Sequence, residues 1–213
     1  MIKNQYEGKF IVFEGLDGSG KSTQAELLGK RLKEKLIKVH KTLEPTQYLI
    51  GGLIRSFLAN DWKSSPDCLQ LLFAADRAYH LEKEILPVLK KKINVVCDRY
   101  FFSSFAYGAL DCDLDWLVRI NDNFLLPDLT ITLKSDPRIC VERMAKERFS
   151  VELFEKVGKL EKVWENYQKI IKRFSSVADI RVIDGDRPIP LIFEEVEKIL
   201  AEKKEAGWNI DLA

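Results

Sequence analysis

Gly15, Leu16, Asp17, Gly18, Ser19, Gly20, Lys21 and Ser22 follow the pattern G-x-x-x-x-G-K-[ST], and each residue type in it has a chemical reason. Glycines let the backbone turn tightly with its N–H groups pointing inward. The loop and the positive end of the following helix can then wrap the α- and β-phosphates of a nucleotide. The Lys21 ammonium would reach the β- and γ-phosphates, and the Ser22 hydroxyl would ligate Mg²⁺. The motif, with Thr23 behind it, lies between an apolar run ending at Phe13 and a helical stretch opening at Lys21, which is the context this chemistry needs. A nucleotide site with magnesium as cofactor is expected.

A second set of groups stands at Cys97-Asp98-Arg99-Tyr100, at the end of another apolar run. If that run is a strand of an open parallel sheet, its carboxyl end faces the ligand crevice. Asp98 could then hold the metal through water, and Arg99 could make a bidentate contact to a second phosphate.

Elements able to position these groups are legible along the chain. Residues 10–13, 93–97, 129–133 and 180–183 have the length and β-branched content of buried parallel strands, and 38–43 is a weaker fifth. Between them lie helical patterns at 21–36, 49–59, 66–91, 115–125, 137–146, 153–174 and 191–204. Ser65 before Pro66 and Asp136 before Pro137 each set a capping side chain ahead of a proline at the first helical position. The alternation predicts an α/β fold: a five-stranded parallel sheet with helices on both faces, in a single domain spanning 1–213.

Lysine plus arginine number 34 against 33 aspartates and glutamates, so bulk charge supplies no attraction to nucleic acid or a membrane surface. Residues 1–10 carry no long apolar stretch, and Cys68, Cys97, Cys112 and Cys140 are scattered with no Cys-x-x-Cys pair. Reduced thiols and a cytoplasmic location are expected.

Phe13-Glu-Gly-Leu-Asp-Gly-Ser-Gly-Lys-Ser-Thr-Gln24, Glu44-Pro-Thr46, Leu71-Leu-Phe-Ala-Ala-Asp-Arg77, Asp98-Arg-Tyr-Phe-Phe-Ser-Ser-Phe-Ala-Tyr107 and Leu126-Pro-Asp-Leu129 together resemble the motifs of the thymidylate kinases, in that family's order and approximate spacing. The resemblance implies a P-loop NTPase fold with a short lid at about 143–152. It also implies transfer of the γ-phosphoryl group of ATP to dTMP in dTTP synthesis, and a homodimer. By resemblance Phe73 stacks on the thymine ring, Arg77 and Ser104 contact the base, and Arg99, with help from Arg55, holds the dTMP phosphate. Asp17 approaches the sugar 3′-hydroxyl and metal, while Tyr107 lies under C2′ and favours deoxynucleotides. Arg148 and Lys146 close over the phosphates, Arg143 packs on adenine, and the loop containing Asp186 borders the same ring. A phosphate monoester dianion attacks without deprotonation, so no general base is expected.

The chain departs from the family pattern at Gly108 and in the lid, where Leu153 rather than the usual arginine precedes Phe154 and Glu155. Gly108 follows Ala106-Tyr107 where the family often has glutamine, which points toward a deoxynucleoside monophosphate kinase of relaxed base specificity. Gly18 stands where some members carry a P-loop arginine, so catalytic positive charge must come from the lid. The rival reading outside the kinases is a P-loop ATPase switch or nucleotide-binding module. Against a guanine-nucleotide switch, no Asn/Thr-Lys-x-Asp motif is present.

Overall fold

A computed structural model gives the protein's structure. It describes residues 1–147 and 153–212, without the side chains of 146, 147 and 153–155. Five strands form one all-parallel sheet in the order β2-β3-β1-β4-β5: β1 (Phe10–Gly15), β2 (Val39–Leu43), β3 (Asn94–Asp98), β4 (Leu129–Lys134) and β5 (Ile180–Asp184). β1 is buried throughout and alternates its side chains between two cores. Phe10 and Val12 join one face while Ile11 and Phe13 join the other.

On the Ile11/Phe13 face pack α1 (Lys21–Glu34) and α9 (Ile189–Glu205), through Leu28, Leu32, Ile192 and Val196. The opposite face is covered by α5 (Phe101–Gly108) and α8 (Leu153–Phe174), with α6 (Leu114–Ile120) and the first turns of α7 (Pro137–Glu147) adding to the same core. Strand register aligns the carboxyl ends: Phe13 pairs with Asp98, Leu43 with Asp98, and Gly15 with Leu133. The loop after β1 and the residues after β3 therefore leave the sheet at one edge, where ligands bind in open α/β sheets. The edge strands β2 and β5 are only partly buried, which is why 38–43 reads weakly as a strand.

Both anticipated caps form. The Ser65 hydroxyl accepts from Cys68 N, opening α3 (Pro66–His80), and an Asp136 carboxylate oxygen accepts from Arg138 N at 2.7 Å. The helix expected over 66–91 is α3, a π-helical turn at Leu81–Ile85, and α4 (Leu86–Lys90) in succession. Pro87 has no N–H to give and its ring crowds the preceding turn, and a widened turn accommodates both effects. The helix expected to reach 125 ends at Ile120. Asn121 caps it by donating its amide to Leu117 O and turns its carboxamide oxygen toward Arg77.

Phe105 is fully buried and stacks on Phe101 and Phe174, with ring centroids at 5.4 and 5.9 Å. Phe105→Ala should lower folding stability by about 3–5 kcal/mol, read from urea unfolding, because α5 and α8 cannot collapse around the void without leaving the sheet.

Candidate active site

The loop after β1 closes over backbone rather than side chains. Gly18 holds φ at +81°, and a Cβ built on it would lie 2.4 Å from the Cys140 carbonyl oxygen of α7. Only glycine fits there. α1 begins after Gly20 with no side-chain cap, so its first N–H groups face the loop cavity and are available to an anion. Lys21 is buried and donates to Leu16 O at 3.2 Å, folded back over the loop. Burial, and then the Arg99 charge, push its pKa down to about 8 against the attraction of Asp17, Asp98 and Glu14.

Arg99 follows β3 with a left-handed backbone, φ +70°, its N–H held by Phe13 O of β1. A non-glycine residue in this region marks a position over-determined by its surroundings. Its guanidinium donates to Asp17 Oδ1 at 2.5 Å, Ser103 Oγ at 2.6 Å and Gly15 O at 3.3 Å, and lies over the Tyr107 ring at 5.2 Å. The Tyr107 hydroxyl donates to Asp17 Oδ2 and accepts from Asp17 N. Burial alone would raise the Asp17 carboxyl. The Arg99 and Lys21 charges outweigh burial and lower it to about 2. Asp17, Lys21, Arg99 and Tyr107, four residues singled out in the sequence, thus form one cluster.

Beneath it lies a carboxylate given no role by the sequence. Glu14 is fully buried in β1 and accepts from the amides of Tyr100 and Ser103, the Ser103 hydroxyl at 2.5 Å and the Tyr167 hydroxyl of α8 at 3.0 Å. Ser103 Oγ is shared with Arg99, so this network aims the guanidinium. Desolvation raises the Glu14 pKa. The Ser103 hydrogen bond, the Arg99 charge, the Tyr167 hydrogen bond and the Tyr100 amide only partly offset it. A glutamate inside an otherwise apolar strand run was the available signal.

A cavity of about 570 Å³, ample for a nucleotide, opens from this cluster. Asp17, Arg99 and Tyr107 line one end, and Phe73, Arg77 and Ser104 line it further along. Arg77 is 1% exposed. It donates to Glu44 Oε2, Asn121 Oδ1 and Ser104 Oγ and packs against the Tyr100 ring, 5.1 Å from its centroid. Glu44 and Asn121 hold this arginine, and neither role was foreseen; they come from elements 33 and 44 residues away in sequence. Lys159 of α8 also lines the cavity and was not anticipated.

The remaining expected residues are dispersed. Arg55 in α2 (Leu49–Leu58) donates to the carbonyls of Pro45 and Thr46, and Pro45 lines the cavity. Arg143 donates to Gly185 O at 3.1 Å and Gly18 O at 3.4 Å, tying α7 to both loops. Asp186 accepts from Asp136 N at 2.8 Å, the residue that caps α7. Arg148 and most of the expected lid lie outside the described residues, as does the side chain of Lys146.

For magnesium, Asp98 Oδ1 is buried without a hydrogen-bond partner, and Ser22 stands exposed at the start of α1. Both are hard oxygen donors, the kind Mg²⁺ takes. Among the described residues no group of three or more His, Cys, Asp or Glu side chains converges on a metal position. The residues present thus fit an ion completed by phosphate oxygens and water rather than an all-protein cage.

The family model for thymidylate kinase matches residues 13–196. Among curated relatives, a "Probable thymidylate kinase" of Pyrococcus horikoshii is 41% identical over 185 residues, 84% of this chain and 90% of the relative. One from Thermococcus gammatolerans is 36% identical over 210 residues, 94% and 99% respectively, and one from Staphylothermus marinus is 36% identical over 201 residues, 93% and 98%.

The raised pKa of Glu14 sets a pH dependence of stability. The folded carboxyl keeps its proton to a higher pH than the unfolded one, which titrates near 4.5. The contribution of Glu14 is fully present below that pH and is lost as pH rises through the folded pKa. Glu14→Gln keeps an acceptor for the two amides. In paired urea titrations above pH 4.5, wild-type stability should fall relative to the variant by up to about 1.4 kcal/mol per pH unit; a flat difference would contradict the assignment.

Proposed function

The chain belongs to the thymidylate kinase family, and on that premise we propose how its own residues carry out the reaction. It transfers the γ-phosphoryl group of ATP to dTMP, giving dTDP and ADP. A switch or binding-module role is not favoured. The observation that carries the residue-level reading is the meeting of Lys21, Arg99 and Asp17 at the junction between the phosphate loop and a nucleotide-sized cavity.

ATP takes the loop Gly15–Thr23, with Lys21 on the β- and γ-phosphates and the α1 N–H groups on the rest. Arg143 and the Asp186 loop border adenine, since α7 and that loop are already joined through Asp136 and Gly185. dTMP enters the cavity with its phosphate on Arg99, assisted by Arg55, its base against Phe73, and its edge toward Arg77 and Ser104. Of five guanidinium N–H groups, Arg77 turns Nε and one Nη2 hydrogen to Glu44, the other Nη2 hydrogen to Ser104 and one Nη1 hydrogen to Asn121, so one donor on Nη1 remains for a base carbonyl. Tyr107 sits under the deoxyribose and Asp17 meets its 3′-hydroxyl. Phosphate binding on Arg99 would replace the Asp17 carboxylate there and free it for the sugar.

Ser22 and, through water, Asp98 would hold Mg²⁺, which when bound neutralises charge on the β- and γ-phosphate oxygens. Lys146 and Arg148 would close over the phosphates and exclude water, leaving in-line positioning and charge as the sources of catalysis. Homodimer formation is supported by exposed apolar side chains on two helices that pack together: Leu49 (83% exposed) and Leu53 of α2, and Leu71 (51%) of α3. Trp116, Ile120 and Phe124 pack partly into the core and offer less free surface. No helix among the described residues is long and apolar enough to cross a membrane. Four free thiols and two charged phosphate substrates support the cytoplasm as the working compartment.

ADP release with ATP and Mg²⁺ should be fastest with dTMP in a panel of dTMP, dUMP, dGMP and thymidine. Arg99→Ala should lower kcat/KM for dTMP by roughly 10²–10³-fold with little change in KM for ATP. Equal turnover with thymidine, or hydrolysis indifferent to acceptor, would sink the reading. Chelation by EDTA should abolish turnover and added Mg²⁺ should restore it; persistence of the rate in EDTA would remove Ser22 and Asp98 from their roles.

A further inference from the structure

Gln70 belongs to none of the groups described so far. It sits on α3 three residues before Phe73 and seven before Arg77, a spacing that sets all three on one face of the helix. All three line the nucleotide-sized cavity. The side chain is 94% buried, being 6% exposed, and its Oε1 has no hydrogen-bond partner. An acceptor left unmade in a protein interior costs stability and calls for an explanation. Space beside it is set by Gly108: a Cβ at that position would lie 2.9 Å from Gln70 Oε1 and 2.8 Å from its carboxamide carbon. The Gln70 amide therefore fills the room into which any side chain at 108 would project.

Gln70 lines the cavity with its Oε1 covered and unpartnered, and a turn of the carboxamide would offer that acceptor to a donor on the ligand. The Watson–Crick edge of a thymine or uracil ring has one N–H, at N3, flanked by two carbonyl oxygens. Arg77, one to two turns along the same helix, offers a donor to a carbonyl. Resting on the reading of this cavity as the dTMP site, we propose that Gln70 determines base specificity, its Oε1 accepting the N3–H of the pyrimidine. Glycine at 108 is then not a missing contact: it is the condition that lets a carboxamide reach the base from α3. A ring without hydrogen at N3, as in cytosine, meets a bare oxygen with its own lone pair and is rejected.

Gln70→Leu tests this, because leucine approximates the shape and deletes the acceptor. kcat/KM should be measured for dTMP, dUMP and dCMP, together with KM for ATP and the urea unfolding of the free enzyme. The values for dTMP and dUMP should fall together by roughly 10- to 100-fold, with dCMP unchanged or improved, ATP unaffected, and the free enzyme as stable as wild type or more so. Loss of function with a gain in stability is an outcome that a packing role does not produce. If dTMP turnover stays within about twofold of wild type, or all three substrates fall in the same proportion, Gln70 does not read N3. Gln70→Ala should reproduce the same substrate pattern should leucine prove too bulky to fold. Failure of the wild-type enzyme itself to use dTMP would instead overturn the reading of the cavity, and the proposal with it.

Discussion

Lys21 is buried and Arg99 mostly so, and the two cations stand close enough that each loses hydration and repels the other. Two buried cations side by side are tolerated only with negative charge between or beneath them. Asp17 stands against both, and Glu14 lies behind Arg99 through the shared Ser103 hydroxyl. Much of the fold serves this arrangement. The pairing of Phe13 with Asp98 delivers the two cations to the same edge, the Phe13 carbonyl fixes the left-handed turn at Arg99, and Tyr167 carries α8 onto the Glu14 carboxylate. The Asp17 carboxylate, shared between both cations, is the counter-charge around which this corner of the sheet is arranged.

The sheet and most helices were legible because their determinants are local. Apolar runs, two proline-led caps and the glycine spacing of the loop lie within a few residues of what they control. Sequence pattern and structure part where a local preference meets a distant partner. α6 stops at Asn121 because that carboxamide serves Arg77, 44 residues away, and the pattern of 115–125 carries no trace of the need. The turn at Leu81–Ile85 is a response to Pro87, visible in sequence as a proline but not as a particular geometry.

Within the site, legibility split the same way. Residues suited to phosphate announce themselves, since loop, lysine and strand-end arginine have narrow chemical alternatives. Those that aim them do not: Glu14, Ser103, Tyr167 and Glu44 are ordinary residue types whose roles exist only once β1, α5, α8 and the loop after β2 are packed together. Gln70 is the sharpest case. A polar residue in an amphipathic helix looks like solvent-facing surface until its oxygen is found buried and alone.

The contact between Gly18 and the Cys140 carbonyl has a consequence for how such enzymes diverge. With 2.4 Å available where a side chain would start, residue 18 and the seating of α7 form a single heritable character. Arginine at position 18 would need α7 to move, since the contact is with its backbone and not with a flexible side chain. The helix must first withdraw, and Arg143 would then lose its hold on Gly18 and Gly185. In this chain a side chain at position 18 and the present seating of α7 exclude one another.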